Sequence, residues 1–347
     1  MKILLLGEYS GYYANLALGF KKLGHSVTFF NSGHASVKAE PGIPYPNYGQ
    51  GIKGKLLSKI LFRTDQKKFS DYDLVFVANL EFVKNPWSPW HWDHIRTTNK
   101  KVIYTVCGQR DAQVLRSIPQ MRKSIFKDEA GIISVEHTCV MSRGDFRFCD
   151  QIVSESDGLI TVAGGYDIPY QNTEKPRACI PLPIDTGHIP FHGIPSGPLQ
   201  FLHGKQRRPF QKGTPEILRA FDLITPKPIL HHVGGLPLTE YLKLMQSIHV
   251  VVDQCKSYGC GMNGLFALAM GKMVMSGNAP EHYQTLNIPA SPIINLPFNI
   301  DLIKQAILEL MCREDHQQIS ESGRQYVEDH HEAKKVAQAY LDFASSL

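Results

Sequence analysis

The stretch Ser247–Gly277, SIHVVVDQCKSYGCGMNGLFALAMGKMVMSG, decides how the rest of the chain is read. Ile248 to Val252 is a short apolar run rich in β-branched residues, the pattern of a strand buried on both faces in a parallel sheet. A polar loop carrying Gly259, Gly261 and Gly264 follows. Leu265 to Met270 then predicts a short buried helix ending at Gly271, and Met273 to Met275 the next strand. A strand, a glycine loop and a helix N-terminus make an anion site, because unpaired backbone N–H groups and the helix dipole converge on one point. Glycines there let a ligand approach the backbone closely. The same pattern also fits an ordinary βα turn.

The N-terminal half repeats the strand-and-helix alternation. Residues 3–6 and 26–30 predict strands around a helix from about Ala14 to Leu23, stopped by Lys21-Lys22 and Gly24-His25. The loop GEYSG lacks the spacing of a dinucleotide fingerprint, and no acidic residue ends the second strand. Residues 33–51 are rich in Gly, Pro, Tyr and Asn and read as loop. Residues 52–69, IKGKLLSKILFRTDQKKF, set Leu56, Leu57, Ile60 and Leu61 at helical spacing among lysines and an arginine. Such a helix either lies on an anionic membrane surface or packs its apolar stripe on the sheet.

Strands are expected at 72–78, 101–107 and 132–135. Between the first two, WSPWHWDHIR reads as an aromatic loop, since His91-x-Asp93-His94 matches no strong metal spacing. Ligand-handling groups in open α/β sheets sit beyond the carboxyl ends of strands. That places Arg110 and Asp111 after one strand and Glu136-His137 after another. Asp111 reads either as a general base or as the N-cap of the helix that follows. His137 reads as a catalytic group or as a buried, hydrogen-bonded histidine.

A helix at 145–154 and a strand at 157–163 lead to PFHGIPSGP (190–198), the best boundary in the chain. Leu199 to His203 opens a second alternating block. Gly204, Lys205, Arg207, Arg208 and Lys212 follow, ahead of a helix begun by Thr214 and Pro215. Dense, directed positive charge suits a diphosphate, and a solvated basic turn is the plainer reading. Further elements fall at 228–233, 241–246, 292–296, 301–312, 319–328 and 333–347.

The totals agree with an ordinary globular chain. Its 347 residues suffice for two domains, and no apolar run approaches the ~20 residues that span a bilayer. The opening MKILLLG is too short for a signal-peptide core and continues into a glycine turn. Seven cysteines without CxxC spacing suggest free thiols in a reducing compartment. A net charge of +5 gives no argument for nucleic acid.

These segments resemble the GT-B nucleotide-sugar glycosyltransferases, specifically glycosyltransferase family 4. The family's strand, E-G-F-G and L-E-A-M-A-x-G-K-P-V frame matches Tyr258-Gly259-Cys260-Gly261 and Leu265 to Val274. Tyr258 and Phe266 stand where the family has glutamates that bind the donor sugar and ribose. The family's D-x-I-I-x-V-S strand and I-P-N-G-V-D-T exit match 157–163 and 180–186, and its G-R-x(4)-K-G segment matches Arg207 to Gly213.

The resemblance implies an α/β fold of GT-B type, two Rossmann-like domains facing across a cleft. The acceptor domain would be 1–190, the nucleotide-sugar domain 199–330, and the helix at 331–347 would cross back. Transfer of a sugar from a UDP- or GDP-type donor to a hydroxyl is implied, retaining and without metal or other cofactor. Donor contacts would come from Gly204, Lys205, Arg207, Arg208, Lys212, Tyr258, Gly259, Gly261, Met262, Asn263, Gly264 and Glu281. Gly11, Tyr12, Tyr13 and Arg110 would meet the acceptor, with Asp111 and His137 as catalytic candidates; Tyr12 and Tyr13 equally fit a plain loop with packed rings. A glycan or glycolipid acceptor, surface-polysaccharide synthesis and a cytoplasmic location, with membrane contact through 52–68, complete the expectation. The missing glutamates favour two other readings: a binding protein that transfers no sugar, or a transferase with an altered donor.

Overall fold

A computed structural model describes residues 1–31, 42–44, 52–78, 90–108, 111–134, 141–204 and 209–347. The chain builds two sheets, each parallel throughout. The first holds β1 (Lys2–Leu6), β2 (Ser26–Asn31), β3 (Ile43–Pro44), β4 (Leu74–Val77), β5 (Lys101–Val106), β6 (Gly158–Thr161) and β7 (Arg177–Cys179). Their order is β3-β2-β1-β4-β5-β6-β7. The second holds β8 (Gln200–Gly204), β9 (Ile229–Val233), β10 (Val250–Val252), β11 (Met273–Ser276) and β12 (Ile294–Asn295), in the order β12-β11-β10-β8-β9. Parallel strands need crossovers, and helices supply them.

The helices of the first block are α1 (Tyr12–Lys22), α2 (Ile52–Asp65), α3 (Trp90–Thr98), α4 (Ala112–Ser117), α5 (Arg143–Glu155) and α6 (Gly164–Asp167). Those after β8 are α7 (Pro209–Lys212), α8 (Thr214–Asp222), α9 (Leu238–Gln246), α10 (Met262–Ala269), α11 (Pro280–Leu286), α12 (Ile300–Met311), α13 (His316–His330) and α14 (Ala333–Ser346). β4, β6, β10 and β11 are buried along their whole length, as strands covered on both faces must be.

The last helix returns to the first block. α14 packs along α1, where a side chain on Gly19 would stand 2.1 Å from the Ala333 carbonyl, so only glycine permits the approach. Tyr12 and Tyr340 join hydroxyl to hydroxyl across this seam, and Lys101 donates to the Ala344 carbonyl at 2.8 Å. Lys22 pairs with Asp185 and Glu332 at the point where the chain leaves one block for the other.

Several sequence expectations shift: the segment read as an aromatic loop enters helix α3 at Trp90, and Ile43–Pro44 within the expected loop pair with β2. α10 begins at Met262, a turn earlier than Leu265. The strand expected at 132–135 is absent among its described residues; Ile133 makes only an isolated antiparallel bridge to Lys127. β5 and β6 already pair directly, leaving no slot in the sheet, and 126–134 closes on itself through Asp128 N–H to Ile132 O and Ser134 N–H to Phe126 O, each 2.8 Å. No helix is long and apolar enough to cross a membrane among the described residues.

Candidate functional site

The second sheet reverses its winding between β8 and β10. Ligands in open α/β sheets bind outside the carboxyl ends of strands at such a switch point. Asp253 follows β10 there and is 3% exposed. One carboxylate oxygen accepts from Lys212 Nζ at 2.8 Å, and the other accepts from the Gly261 N–H at 3.1 Å. Asn263 stands 3.5 Å from the first oxygen, and its own carbonyl accepts from Tyr241 Oη at 2.9 Å. Burial pushes the Asp253 carboxyl up, but the Lys212 ammonium and the Gly261 amide outweigh it and hold it below the usual carboxylate range.

One buried carboxylate therefore fastens the basic segment after β8 to the glycine bend after β10. A side chain on Gly261 would lie 4.0 Å from Lys212 Nζ, so the lysine and the bend share one corner. Gly213 keeps that corner closed: its φ is +74°, and a Cβ there would sit 2.2 Å from Cys255 Sγ. Within the bend, the Gly259 carbonyl accepts from Gln254 Nε2 at 2.9 Å and from Ser257 Oγ.

The corner opens on a cleft of about 1090 Å³ between the two blocks. From the second block Gly204, Lys212, Tyr258, Gly259, Gly261, Met262 and Asn263 line it. From the first block come Tyr9 and Ser10 after β1, Gly108 after β5, Lys123 to Phe126, and Gly165 and Tyr166 after β6. Among the described lining residues only Lys123 and Lys212 carry charge, and none is acidic.

Arg110, His137, Lys205, Arg207 and Arg208 lie outside the described residues, as does Glu136. Tyr12 and Tyr13 are fully buried core residues, the second bonded to Thr105 Oγ1 at 2.9 Å. Of the two readings of Asp111, the structure shows the cap. It is 1% exposed, accepts from the Val114 N–H at 2.9 Å and takes the hydroxyls of Tyr104 and Tyr170. Burial pushes its carboxyl up against those hydrogen bonds.

Glu281 spends both oxygens on the Arg122 guanidinium, each at 2.7 Å, and does not line the cleft. Gly11 is the N-cap of α1, with the Phe266 ring 3.6 Å from where its side chain would be. Gly264 lies within the first turn of α10 against Cys260. At His91 and His94, His94 Nε2 pairs with Ser70 Oγ at 2.9 Å, and burial lowers the His91 imidazole to about 4. No group of three or more His, Cys, Asp or Glu able to hold a metal occurs among the described residues.

Three residues escaped the sequence reading. Asp253 ends its strand inside the quoted stretch, and that position was the available signal. Glu8 accepts from the N–H groups of Gly11 and Ala14 at 2.8 and 3.0 Å, and burial raises its carboxyl to about 7. Lys123 carries no local pattern at all.

No family model matches the chain, and no curated protein matches it. Solved structures do match. Sucrose-phosphate synthase from Thermosynechococcus elongatus superposes with a TM-score of 0.66 at 13% identity, covering 100% of both chains. HepE from Anabaena, in complex with UDP and glucose, gives 0.65 at 13% identity, again over 100% of each. A glycosyltransferase from Rickettsia africae ESF-5 gives 0.62 at 12% identity over 98% of this chain and 96% of its own. At such identities the likeness speaks for architecture: the chain has the GT-B fold, two Rossmann-like domains facing across a cleft.

Proposed function

We propose that the protein is a glycosyltransferase of the family 4 type that moves a sugar from a nucleoside-diphosphate donor to a hydroxyl acceptor. The observation that carries this is the corner where Lys212 and the Gly261 amide meet on Asp253, at the mouth of a cleft with no carboxylate among its described lining residues. A diphosphate leaving group gathers charge as the glycosidic bond breaks, and prearranged donors at that place stabilise it. Donor contacts then fall to Gly204, Lys212 and the 258–263 bend, joined by Lys205, Arg207 and Arg208. HepE holds UDP and glucose in a chain of the same fold, which favours a UDP-type donor. Retention of configuration, independence of metal, and the boundaries near 190 and 199 belong to the same proposal.

The acceptor side would be a glycan or glycolipid at the cytoplasmic face of a membrane, within surface-polysaccharide synthesis. α2 supports this, because Leu56, Leu57 and Ile60 are 59, 44 and 51% exposed beside exposed Lys53 and Arg63. Apolar side chains left in water among cations suit an anionic lipid surface. Calorimetry with UDP and GDP tests the central claim: one of them binds, and Lys212→Ala weakens it at least tenfold. Absence of binding at millimolar nucleotide sinks it.

One observation favours the binding-protein reading. Tyr258 and Phe266 both serve the wall between domains, Tyr258 Oη accepting from the Lys123 N–H at 3.0 Å and Phe266 covering Gly11. Nucleotide binding without turnover of any UDP- or GDP-sugar would select that reading.

A further inference from the structure

The segment after α4 crosses from the first domain to the second and is pinned there residue by residue. Met121 packs with Tyr258 and Ala279. Arg122 holds Glu281 through two hydrogen bonds, with its guanidinium 5.9 Å from the centre of the Tyr258 ring. Lys123 donates its backbone N–H to Tyr258 Oη at 3.0 Å. The Lys123 backbone is thus fixed against the glycine bend by contacts on both sides of the cleft.

Its side chain is differently placed. Lys123 lines the cleft, yet its ammonium is shielded from water and has no hydrogen-bond partner among the described residues. Burial lowers its pKa, with Arg122 acting in the same direction and Cys255 and Glu281 opposing. An ammonium kept from water without an acceptor is costly, and such groups normally pair or lose their charge. The cleft's other described cation, Lys212, is already neutralised by Asp253. The two lysines share a neighbour: the Cys255 N–H donates to the Lys212 carbonyl at 3.1 Å, and the Lys123 charge is near enough to act on the Cys255 thiol.

We propose that Lys123 binds the diphosphate of the donor from the domain opposite Lys212, so that the bound nucleotide bridges the cleft. The proposal rests on the donor reading given above. Lys123 lines the same cleft as the bend and Lys212, so an anion held there would give its ammonium the acceptor it lacks. Two signatures follow that a merely structural lysine would not give together. Removing the charge stabilises the free protein, and it weakens the nucleotide.

The test uses the full chain with UDP and GDP as probes, by calorimetry and thermal melts, on wild type, Lys123→Met, Lys123→Gln, Lys123→Arg and Lys212→Ala. Lys123→Met and Lys123→Gln are expected to melt at or above wild type when free. They are expected to bind the preferred nucleotide about tenfold more weakly, about 1.4 kcal/mol, and to gain less stability from it. Lys123→Arg should recover most of the affinity. Wild-type affinity in both Lys123→Met and Lys123→Gln, with Lys212→Ala impaired, overturns this proposal alone. If the wild type binds neither nucleotide, the donor reading falls and this one falls with it.

Discussion

Lys212→Met probes the corner on which the functional reading rests. Asp253 is the acceptor for Lys212, and its side chain is 1% exposed while that of Lys212 is 21% exposed. Taking one partner from a buried pair costs about 3–5 kcal/mol, because the other charge stays without compensation. The low end applies here, since Asp253 keeps the Gly261 N–H at 3.1 Å. A loss of about 3 kcal/mol lowers the melting point by roughly 6–12 °C for a domain of 150–250 residues. The pH dependence has a definite sign. In wild type the Asp253 pKa is depressed, so its contribution is present above the unfolded value of about 3.9 and is lost as pH falls through the folded one. In Lys212→Met the burial contribution dominates and the carboxyl moves up, so the deficit is full at pH 7 and shrinks toward acid. Asp253→Asn in the Lys212→Met background removes the stranded charge and should restore part of the stability. Thermal melts of the three proteins at pH 7 and pH 5 measure all of this. Equal melting of wild type and Lys212→Met at pH 7, or no recovery in the double variant, would refute the argument.

Gly213→Ala should cost about 3 kcal/mol, combining a positive φ with a Cβ placed 2.2 Å from Cys255 Sγ, and urea melts will show whether it does. His282 and His331 are buried and lowered by burial to about 4 from 6.5. Only the unfolded chain takes up protons at them between those values, so stability falls from pH 6.5 toward 4 by about 1.4 kcal/mol per pH unit for each. His282→Gln should flatten that slope in melts across the same window. On α2, Leu57→Glu with Ile60→Glu should leave the melting point unchanged, because both side chains are already in water, yet abolish sedimentation with anionic lipid vesicles.

Local pattern carried most of the fold. Ile248 to Val252 and the residues before Gly271 named their own elements, because burial on both faces leaves a continuous apolar run and glycine ends a helix. The expected strand at 132–135 failed for a reason no window of sequence contains, namely that β5 and β6 pair with each other. Asp111 was legible as two things at once, since a strand-end carboxylate serves a substrate and a helix N-terminus equally well. The Val114 N–H makes it the cap, and the hydroxyls of Tyr104 and Tyr170, the second 59 residues away in sequence, occupy the same carboxylate. Lys123 shows the limit most plainly. Its meaning comes from Tyr258 and Cys255, more than 130 positions further on.

Tyr258 and Phe266 bring the sequence and the cleft into one argument. Under the family 4 resemblance these positions hold carboxylates, yet no described residue lining this cleft is acidic. Tyr258 Oη instead accepts from the Lys123 N–H, and Phe266 lays its ring beside Gly11, so both side chains touch the facing domain while lining the cleft. If the cleft takes a nucleoside diphosphate as proposed, a wall without carboxylates at these two positions would strengthen its hold on phosphate while giving up hydrogen bonds to sugar hydroxyls. The burden of orienting a donor then shifts to backbone amides of the bend and to cations on both sides. On the proposed donor reading, a nucleotide would be gripped by its phosphates and the identity of the sugar read mainly by shape.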